Sequence, residues 1–332
     1  MQTIQLAHGS GGVATNQLIE SVFKKYLQEF LVGENEDGGV FYPSKGQAIS
    51  TDSYVVSPVI FSGGDIGKLS ICGSSNDVTM MGAKPEFITL GFILEEGLEI
   101  SLLEKLLQSM SSEIRALGLK ILSADTKVVE RGNVDKIFIN TTAIGSIIKT
   151  CSIKQLAQND VIILSSPIGA HGGVIFCERN QLHIHSDLKS DCRSLYPFLE
   201  SLLKSSLPIH TLRDATRGGL AAVLNEWAQE CKNDILIFED RVKIPHAVQG
   251  ICEILGFEAY SLANEGAFVL ATPKDTAEKV LSMLHKSGLE DAMIIGEIVP
   301  QLTSTPRVIL QNAWGSKRFL DSPTGELLPR IC

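Results

Sequence analysis

The sequence predicts a two-domain protein of mixed α/β class, and three observations lead to that prediction. The chain has 332 residues, 44% of them hydrophobic and 20% charged, which suffices for a large core and about two domains. Stripes of apolar residues at helical spacing alternate with short apolar runs that are typical of strands. This series starts again near Thr150, where we place the domain boundary.

The first half contains two predicted helices. One covers residues 15–30 with Thr15 as its N-cap. The other begins at a capping box of Ser101 and Glu104 and ends at Gly118. Strands are predicted around them at the apolar runs 48–51, 87–94, 119–123 and 137–144.

The second half opens with a predicted strand at 161–165 and includes a helix over about 220–231. Another helix is predicted over 274–286, with Thr272 as cap and Pro273 at its first position. From Pro300 onward, further prolines interrupt regular structure. The predicted organisation is therefore a domain over 1–150, a domain over 151–310, and a flexible extended tail over 311–332.

Charge and composition exclude several classes of protein. The net charge is −9 and no basic run is present, which argues against binding to a nucleic-acid backbone. No stretch approaches the roughly 20 apolar residues that span a bilayer, and the N-terminus lacks the basic and apolar regions of a signal peptide. These features predict a cytoplasmic protein that does not enter a membrane.

Seven cysteines without a CxxC pair predict reduced thiols. Five are expected to be buried, namely Cys72, Cys151, Cys177, Cys231 and Cys252.

A glycine-rich run near the N-terminus is a candidate phosphate-binding loop. His8-Gly9-Ser10-Gly11-Gly12 leads into the first predicted helix, where backbone N–H groups can approach phosphate oxygens. A flexible leader explains the run equally well. The later run from Ser62 to Lys68 is not a Walker A motif, because Ser62 replaces the first glycine and Leu69 replaces the magnesium-binding hydroxyl.

Four aspartates stand where a strand is expected to end or a helix to begin. They are Asp52, Asp77, Asp125 and Asp214. Magnesium binds hard oxygens, usually a few carboxylates together with nucleotide phosphates, and the set suits that task. Each aspartate alone is equally typical of a cap or a turn, so the interpretation rests on their joint occurrence.

Two further patterns leave alternatives open. His183-Ile184-His185 has the spacing of metal ligands but also of an exposed strand, and no third ligand lies nearby in sequence. Glu265 lies between an apolar segment and a predicted strand. It is a candidate partly buried general base, although a solvated turn fits the same pattern.

The C-terminus carries the most specific feature. A cysteine at the last position, Cys332, has no chain beyond it, and Arg330 favours its thiolate form. If the dozen residues from Asp321 are extended, they carry that sulfur on the order of 35 Å. The alternative is an accidental free thiol.

Taken together, the motifs resemble those of the hydrogenase maturation factor HypE family, and the likeness runs from residue 8 to residue 332. In chain order they are His8-Gly-Ser-Gly-Gly, Thr51-Asp-Ser, Phe61-Ser-Gly-Gly-Asp-Ile-Gly-Lys, Asn76-Asp77, Met81-Gly-Ala, Asp125-Thr-Lys-Val-Val-Glu, Asn140-Thr-Thr, Asp214-Ala-Thr-Arg-Gly-Gly-Leu, Ala263-Asn-Glu-Gly and Pro329-Arg-Ile-Cys. Ser62, Ala124 and Ala215 depart from the family pattern, which has Pro, Gly and Pro there.

The resemblance implies the aminoimidazole-ribotide-synthetase fold, with an N-terminal α/β domain that dimerises through its sheet and a C-terminal α/β domain. It also implies ATP and Mg²⁺ as cofactors. The implied metal ligands are Asp52, Asp77 and Asp125. The implied nucleotide-binding residues are Gly9, Gly11, Gly12, Asp65, Asn76, Lys127, Asp214, Thr216 and Arg217. The implied catalytic residues are Cys332, Lys127, Glu265 and, as a weaker candidate base, His8.

The reaction implied by the resemblance is the ATP-dependent dehydration of a carboxamide on Cys332 to a thiocyanate. HypF, a carbamoyltransferase, would load the carboxamide, and a HypC–HypD complex would receive the cyanide for the iron of [NiFe] hydrogenase. Two other functions remain open. One is a small-molecule kinase or synthetase of the same superfamily, which leaves the terminal cysteine unexplained. The other is a non-enzymatic assembly factor that presents a thiol.

Overall fold

The structure is a computed structural model that describes residues 3–5, 17–30, 46–182, 187–302 and 304–323. The chain divides into two compact units. The N-terminal unit holds Ala83–Ile147 and the described residues before Thr79; the C-terminal unit holds Thr79–Gly82 and the described residues from Ile148 onward. Among the helices searched, none is both long and apolar enough to cross a membrane.

The N-terminal unit is built on a four-stranded sheet of order β1-β6-β4-β5. The strands of this unit are β1 (Gln47–Tyr54), β2 (Ile60–Phe61), β3 (Gly64–Asp65), β4 (Ala83–Glu95), β5 (Lys120–Val129) and β6 (Ile137–Ile147). β4 and β5 are parallel, whereas β6 is antiparallel to both of its neighbours. The helices are α1 (Lys24–Leu27), α2 (Ile66–Met80) and α3 (Ile100–Leu117), and α1 continues from a π-helical turn at Ile19–Phe23 into a 3-10 turn at Gln28–Phe30.

Helix α2 covers one face of this sheet. The Thr141 hydroxyl of β6 lies within hydrogen-bond distance of Ser70 O at 2.9 Å and of Ser74 Oγ at 2.8 Å, and the Tyr54 hydroxyl accepts the Ser74 N–H at 2.8 Å. Helix α3 approaches α2 so closely that a Cβ on Gly67 would lie 2.2 Å from the Leu106 carbonyl oxygen. The opposite face of the sheet is open in the described part of the chain, where Ile49 is 68% exposed and Ile93 is 40% exposed.

The C-terminal unit is built on a seven-stranded sheet of order β13-β12-β9-β11-β7-β10-β8. Its strands are β7 (Asp160–Leu164), β8 (Thr211–Asp214), β9 (Asp234–Phe238), β10 (Phe268–Pro273), β11 (Met293–Val299), β12 (Val308–Gln311) and β13 (Lys317–Leu320). Its helices are α4 (Ala170–Arg179), α5 (Tyr196–Lys204), α6 (Gly219–Cys231), α7 (His246–Leu255) and α8 (Ala277–Lys286). Only β12 and β9 pair in parallel among the described ladders of this sheet.

The core of this unit joins α6 to the sheet. Trp227 of α6 is 1% exposed and belongs to a buried cluster with Ile235, Val269 and Leu310 from three strands. The other tryptophan, Trp314, lies in the turn between β12 and β13 and is 89% exposed. The two tryptophans therefore occupy opposite environments within one unit.

A histidine is buried in the C-terminal unit on helix α4. His171 is fully buried, and its Nδ1 shares a hydrogen bond of 2.8 Å with the Ser190 hydroxyl. Removal from water disfavours the charged imidazolium and lowers the pKa of His171 to about 3. The ring is therefore neutral at physiological pH.

Several local predictions are corrected by the structure. The capping box of Ser101 and Glu104 is wrong, because α3 begins at Ile100 behind an extended Glu99, and Glu104 instead pairs with Lys25 at 2.7 Å. Thr272 and Pro273 do not start a helix, since they end β10 in register with β7; α8 follows after Thr276. The predicted stop at Gly118 is confirmed, with a left-handed φ of 68°.

The C-terminal part of the chain is also more regular than predicted. The tail expected from residue 311 is wrong in its first part, because β13 pairs with β12 as far as Leu320. The proline at 306 precedes this hairpin and so does not interrupt it. Residues 324–332 lie outside the described residues, as does His183-Ile184-His185. Cys72, Cys151, Cys177 and Cys252 are buried as expected, whereas Cys231 is partly exposed.

Candidate functional site

The open face of the N-terminal sheet carries a row of polar residues. The ladder pairs Ser53 with Asn140, Asn140 with Gly91, and Gly91 with Asp125, so these four positions lie side by side across four strands. The Asn140 amide donates to the Ser53 hydroxyl and to the Asp52 carbonyl, both at 2.9 Å. Because Gly91 has no side chain, the amide of Asn140 and the carboxylate of Asp125 flank an open space above it.

Lys127 extends this polar row. It lies two residues after Asp125 on the same face of β5, and its Nζ contacts Asp125 Oδ1 at 2.9 Å. Their side chains are 64% and 68% exposed, respectively. The expected position of Asp125 at a strand end is wrong, since it lies in the middle of β5. The pair presents an exposed cation beside a carboxylate, which is the charge pattern that a metal-bound phosphate group requires.

Two other predicted carboxylates lie on the face covered by α2. Asp52 is inside β1 and not at its end, on the same face as Ser50 and Tyr54. Asp77 is inside α2, and its Oδ2 accepts a hydrogen bond of 2.6 Å from the Ser50 hydroxyl. The predicted metal ligands are therefore divided between the two faces of one sheet, with Asp52 and Asp77 on one and Asp125 on the other.

Asp65 and Asn76 have close contacts within the fold. Asp65 precedes α2, and its Oδ1 accepts hydrogen bonds from the Lys68 N–H at 2.9 Å and from the Ser109 hydroxyl at 2.5 Å. Burial raises the pKa of this carboxyl, and those hydrogen bonds oppose the effect. Asn76 is 2% exposed on α2. Asp65 thus caps one helix and ties it to α3.

The predicted nucleotide-binding residues of the C-terminal unit lie in the turn between β8 and α6. Asp214 ends β8 and is buried, and Thr216 and Arg217 follow at increasing exposure. Gly218 and Gly219 then start the helix with φ of 75° and 59°. A Cβ on Gly219 would lie 2.5 Å from the Leu262 carbonyl, so glycine is required for the turn to approach the 262–264 segment.

Asn264 connects this turn to another helix start. Its Oδ1 accepts the Gly169 N–H at 2.6 Å before α4, and its Nδ2 donates to the Ala215 carbonyl at 2.8 Å. Asn264 is fully buried. Glu265 is the next residue and is 6% exposed. The predicted candidate base therefore adjoins the side chain that holds two turns of the unit together.

The residues suit magnesium as a partner of nucleotide phosphates. Within the described part of the chain, no three His, Cys, Asp or Glu side chains converge on one metal position. Mg²⁺ usually takes only one or two carboxylates and completes its shell with phosphates and water. Asp52 and Asp77, on one face of the sheet, are two carboxylates that would supply such a site. Cys332, His8, Gly9, Gly11 and Gly12 lie outside the described residues.

Comparison with known proteins assigns both units to one superfamily. Residues 35–147 match the N-terminal domain of AIR synthase related proteins, and residues 157–308 match the C-terminal domain. The chain is 44% identical to the carbamoyl dehydratase HypE of Escherichia coli (strain K12), over 100% of both chains. The chain belongs to the HypE carbamoyl dehydratase family.

Solved structures of HypE proteins match the whole fold. A HypE crystallised in complex with ATP superposes with a TM-score of 0.94 at 38% identity, covering 99% of this chain and 100% of that one. A HypE in a HypE–HypF complex gives a TM-score of 0.80 at 36% identity, covering 94% of this chain and 100% of that one. The family and the two-domain α/β fold implied by the sequence motifs are confirmed, with the fold now seen in the strand order of each unit.

Sequence reasoning missed residues that support the predicted ones. Ser50, Asp191 and Arg193 contact site residues but were not singled out, and Asn140 and Asn264 appeared only within family motifs. Ser50 lies 27 residues from its partner Asp77, and Asp191 lies 74 residues from Glu265. Partners so distant in sequence carry no local signal, because only the strand register and loop packing bring them together.

Proposed function

We propose that the chain dehydrates a carboxamide carried as a thioester-like group on Cys332, consuming ATP and producing a thiocyanate for hydrogenase maturation. The observation that carries the proposal is the 44% identity with a carbamoyl dehydratase over 100% of this chain, a span that includes the terminal cysteine. The HypE bound to ATP, with its TM-score of 0.94, supports the nucleotide requirement. HypF would supply the carboxamide, and a HypC–HypD complex would receive the cyanide.

The proposed reaction balances as two steps. The carboxamide oxygen attacks the γ-phosphorus of ATP, the bond to the β-phosphate breaks, and ADP leaves while the nitrogen gives up one proton. A base then takes the remaining N–H proton, the C–O bond breaks, and phosphate leaves as the C≡N bond forms. Phosphorylation is needed because an amide oxygen is a poor leaving group. The products are thiocyanate, ADP and phosphate.

Residues of the chain have distinct roles in this proposal. Lys127, exposed on β5, would stabilise negative charge on the transferring phosphoryl group. Glu265, which is 6% exposed, would take the second N–H proton as the general base. Asp125, which pairs with Lys127 on the open face, would hold Mg²⁺ against that phosphoryl group, and Asp52 and Asp77 would hold Mg²⁺ on the covered face. The loop from His8 to Gly12 would bind phosphate.

Four of the six described cysteines support the assignment of Cys332 as the reactive thiol. Burial raises the pKa of Cys151 and of Cys252 to about 11, and also raises the pKa of Cys177 and Cys231. Since the thiolate is the nucleophile, these four groups react poorly at neutral pH.

Intact mass spectrometry tests the proposal directly. After incubation with HypF, carbamoyl phosphate and ATP, the wild-type chain should gain the mass of one cyano group. Cys332→Ala should gain none while keeping its fold and ATP affinity. Cys231→Ala, which removes a partly exposed thiol, serves as the matched control and should gain the group normally. A cyano adduct on Cys332→Ala would overturn the proposal, and a carboxamide that persists without ATP consumption would favour the thiol-presenting function.

The N-terminal unit is proposed to dimerise through the open face of its sheet. Ile49 and Ile93 expose 68% and 40% of their surfaces there, and covering such side chains is favourable. Ile93→Glu should lower the dimer fraction measured by light scattering. Ile254→Glu, at an 81% exposed position in the C-terminal unit, is the matched control and should leave that fraction unchanged. An unchanged dimer in Ile93→Glu would count against this face.

A further inference from the structure

The backbone of Glu265 and Gly266 is held by one short segment of the chain. Asp191 Oδ1 accepts the Glu265 N–H at 3.1 Å, and Asp191 Oδ2 accepts the Gly266 N–H at 2.9 Å. The Arg193 guanidinium donates twice to the Gly266 carbonyl, each time at 3.0 Å, and the Arg193 N–H donates to the Glu265 carbonyl at 3.3 Å. All four backbone polar groups of the two residues are thus bonded to Asp191 or Arg193.

Close packing fixes this arrangement further. A Cβ on Gly266 would lie 1.9 Å from the Asp191 carbonyl oxygen and 2.8 Å from Arg193 Cγ, so only glycine permits the approach. The Arg193 guanidinium also lies over the Phe198 ring, 4.9 Å from its centroid. The segment that holds Glu265 is therefore itself held by the start of α5.

Charge favours the same geometry. Burial raises the pKa of Asp191 and lowers the pKa of Arg193, and the attraction between the two groups opposes both shifts. Removing two charged side chains from water costs free energy. If their only role were to close a loop, apolar residues could fill the same space without that cost. Here both charges are directed at the peptide groups of the proposed base, where charge-assisted hydrogen bonds are strong and geometrically specific.

We infer that Asp191 is a positioning residue, which fixes the backbone of Glu265 so that its carboxylate meets the N–H proton of the substrate. The inference rests on the proposed function, in which Glu265 is the base. Asp191 itself does not touch the substrate. Arg193 assists it by holding the carbonyl side of the same two peptide groups.

The test measures conversion of pre-formed S-carboxamide on Cys332 to thiocyanate in a single turnover, together with ATP affinity. In Asp191→Asn, the amide NH₂ faces one of two backbone N–H donors, so one hydrogen bond becomes a donor–donor contact. We expect the conversion rate to fall about 10- to 100-fold while the Kd for ATP stays unchanged. Asp275→Asn, an exposed aspartate before α8, should convert at the wild-type rate.

A double-mutant cycle separates positioning from a merely structural role. If Asp191 acts through Glu265, Asp191→Asn should slow the Glu265→Gln variant no further. Additive losses would overturn the inference, as would an unchanged rate in Asp191→Asn while Glu265→Gln is slow. An unchanged rate in Glu265→Gln would overturn both this inference and the assignment of the base. A wild-type chain that forms no thiocyanate would overturn the proposed function itself.

If Asp191→Asn does not fold, a second variant, Arg193→Lys, tests the same inference. Lysine retains the charge but not the two-pronged donation to the Gly266 carbonyl. We expect a smaller loss in rate, on the order of 3- to 10-fold, again with unchanged ATP affinity. A wild-type rate in Arg193→Lys would count against the positioning of Glu265 by Asp191 and Arg193.

Discussion

The Ser50 hydroxyl donates a hydrogen bond of 2.6 Å to Oδ2 of Asp77 and so joins strand β1 to helix α2. Asp52 lies two residues further along the same face of β1. Ser50 thereby orients the carboxylate of Asp77 toward β1, the strand that carries Asp52. Both aspartates are proposed magnesium ligands. An outer partner of this kind sets the direction of a metal-binding carboxylate.

Removing this hydroxyl should weaken binding of Mg–ATP. We expect Ser50→Ala to raise the Kd about 10-fold, because loss of an orienting partner usually costs that much, and Asp77→Asn to raise it at least as far. Isothermal titration with magnesium, and again with EDTA, measures both effects. Asp135→Asn, in the exposed loop before β6, is the control. Equal losses with and without magnesium would remove Asp77 from the metal site.

Lys127 should affect turnover much more than stability. An exposed ion pair contributes only about 0–1 kcal/mol to folding, and Lys127 and Asp125 are both well exposed. Lys127→Gln should therefore lower single-turnover conversion about 100-fold and leave the thermal midpoint nearly unchanged. Lys120→Gln, on the same strand and also exposed, should keep the wild-type rate. A wild-type rate in Lys127→Gln would exclude this lysine from catalysis.

Burial of neutral His171 should make stability fall in acid. The pKa of His171 is lowered from 6.5 to about 3, so between those values the unfolded chain binds a proton that the folded chain does not. Stability is full above pH 6.5 and falls as the pH decreases toward about 3. This one group should remove about 2 kcal/mol between pH 6.5 and 5.

Urea unfolding of wild type and His171→Gln at both pH values measures this effect. Glutamine is neutral at each pH, so the variant should lose about 2 kcal/mol less than wild type on acidification. If both proteins lose the same free energy of unfolding on acidification, the pKa of His171 does not differ between the folded and the unfolded chain.

Two helical glycines should respond oppositely to alanine. A Cβ on Gly67 would lie 2.2 Å from the Leu106 carbonyl oxygen, whereas a Cβ on Gly250 of α7 would meet nothing within 4 Å. Gly67→Ala should destabilise the chain by about 1–3 kcal/mol, the usual cost of overpacking. Gly250→Ala should stabilise it by roughly 0.5–1 kcal/mol through helix propensity. Chemical denaturation compares the two, and stabilisation by Gly67→Ala would contradict the close crossing of α2 and α3.

Sequence reasoning identified features whose signal is local. Gly118 ends a helix because its left-handed backbone closes the last turn, and neighbouring residues suffice to predict this. The two-unit division and the mixed class follow in the same way from apolar periodicity.

Features that depend on partners far along the chain were not predictable. Asp52 and Asp125 resemble residues at strand ends, because polar residues around them interrupt the apolar runs. In the structure both strands continue past these aspartates, β1 to Tyr54 and β5 to Val129. The adjacency of Asp125, Gly91 and Asn140 depends on strand register. Thr272 and Pro273 resembled a helix start because pairing with β7 leaves no trace in their own sequence.

Both tryptophans of the chain belong to the C-terminal unit, Trp227 in its core and Trp314 in solvent. Intrinsic indole emission therefore follows that unit and is blind to the N-terminal sheet. Iodide will quench the emission of Trp314 in the native protein and leave that of Trp227. The remaining emission changes when solvent enters the core of the C-terminal unit. Comparing that emission with far-ultraviolet circular dichroism during thermal unfolding shows whether the two units unfold together or one after the other.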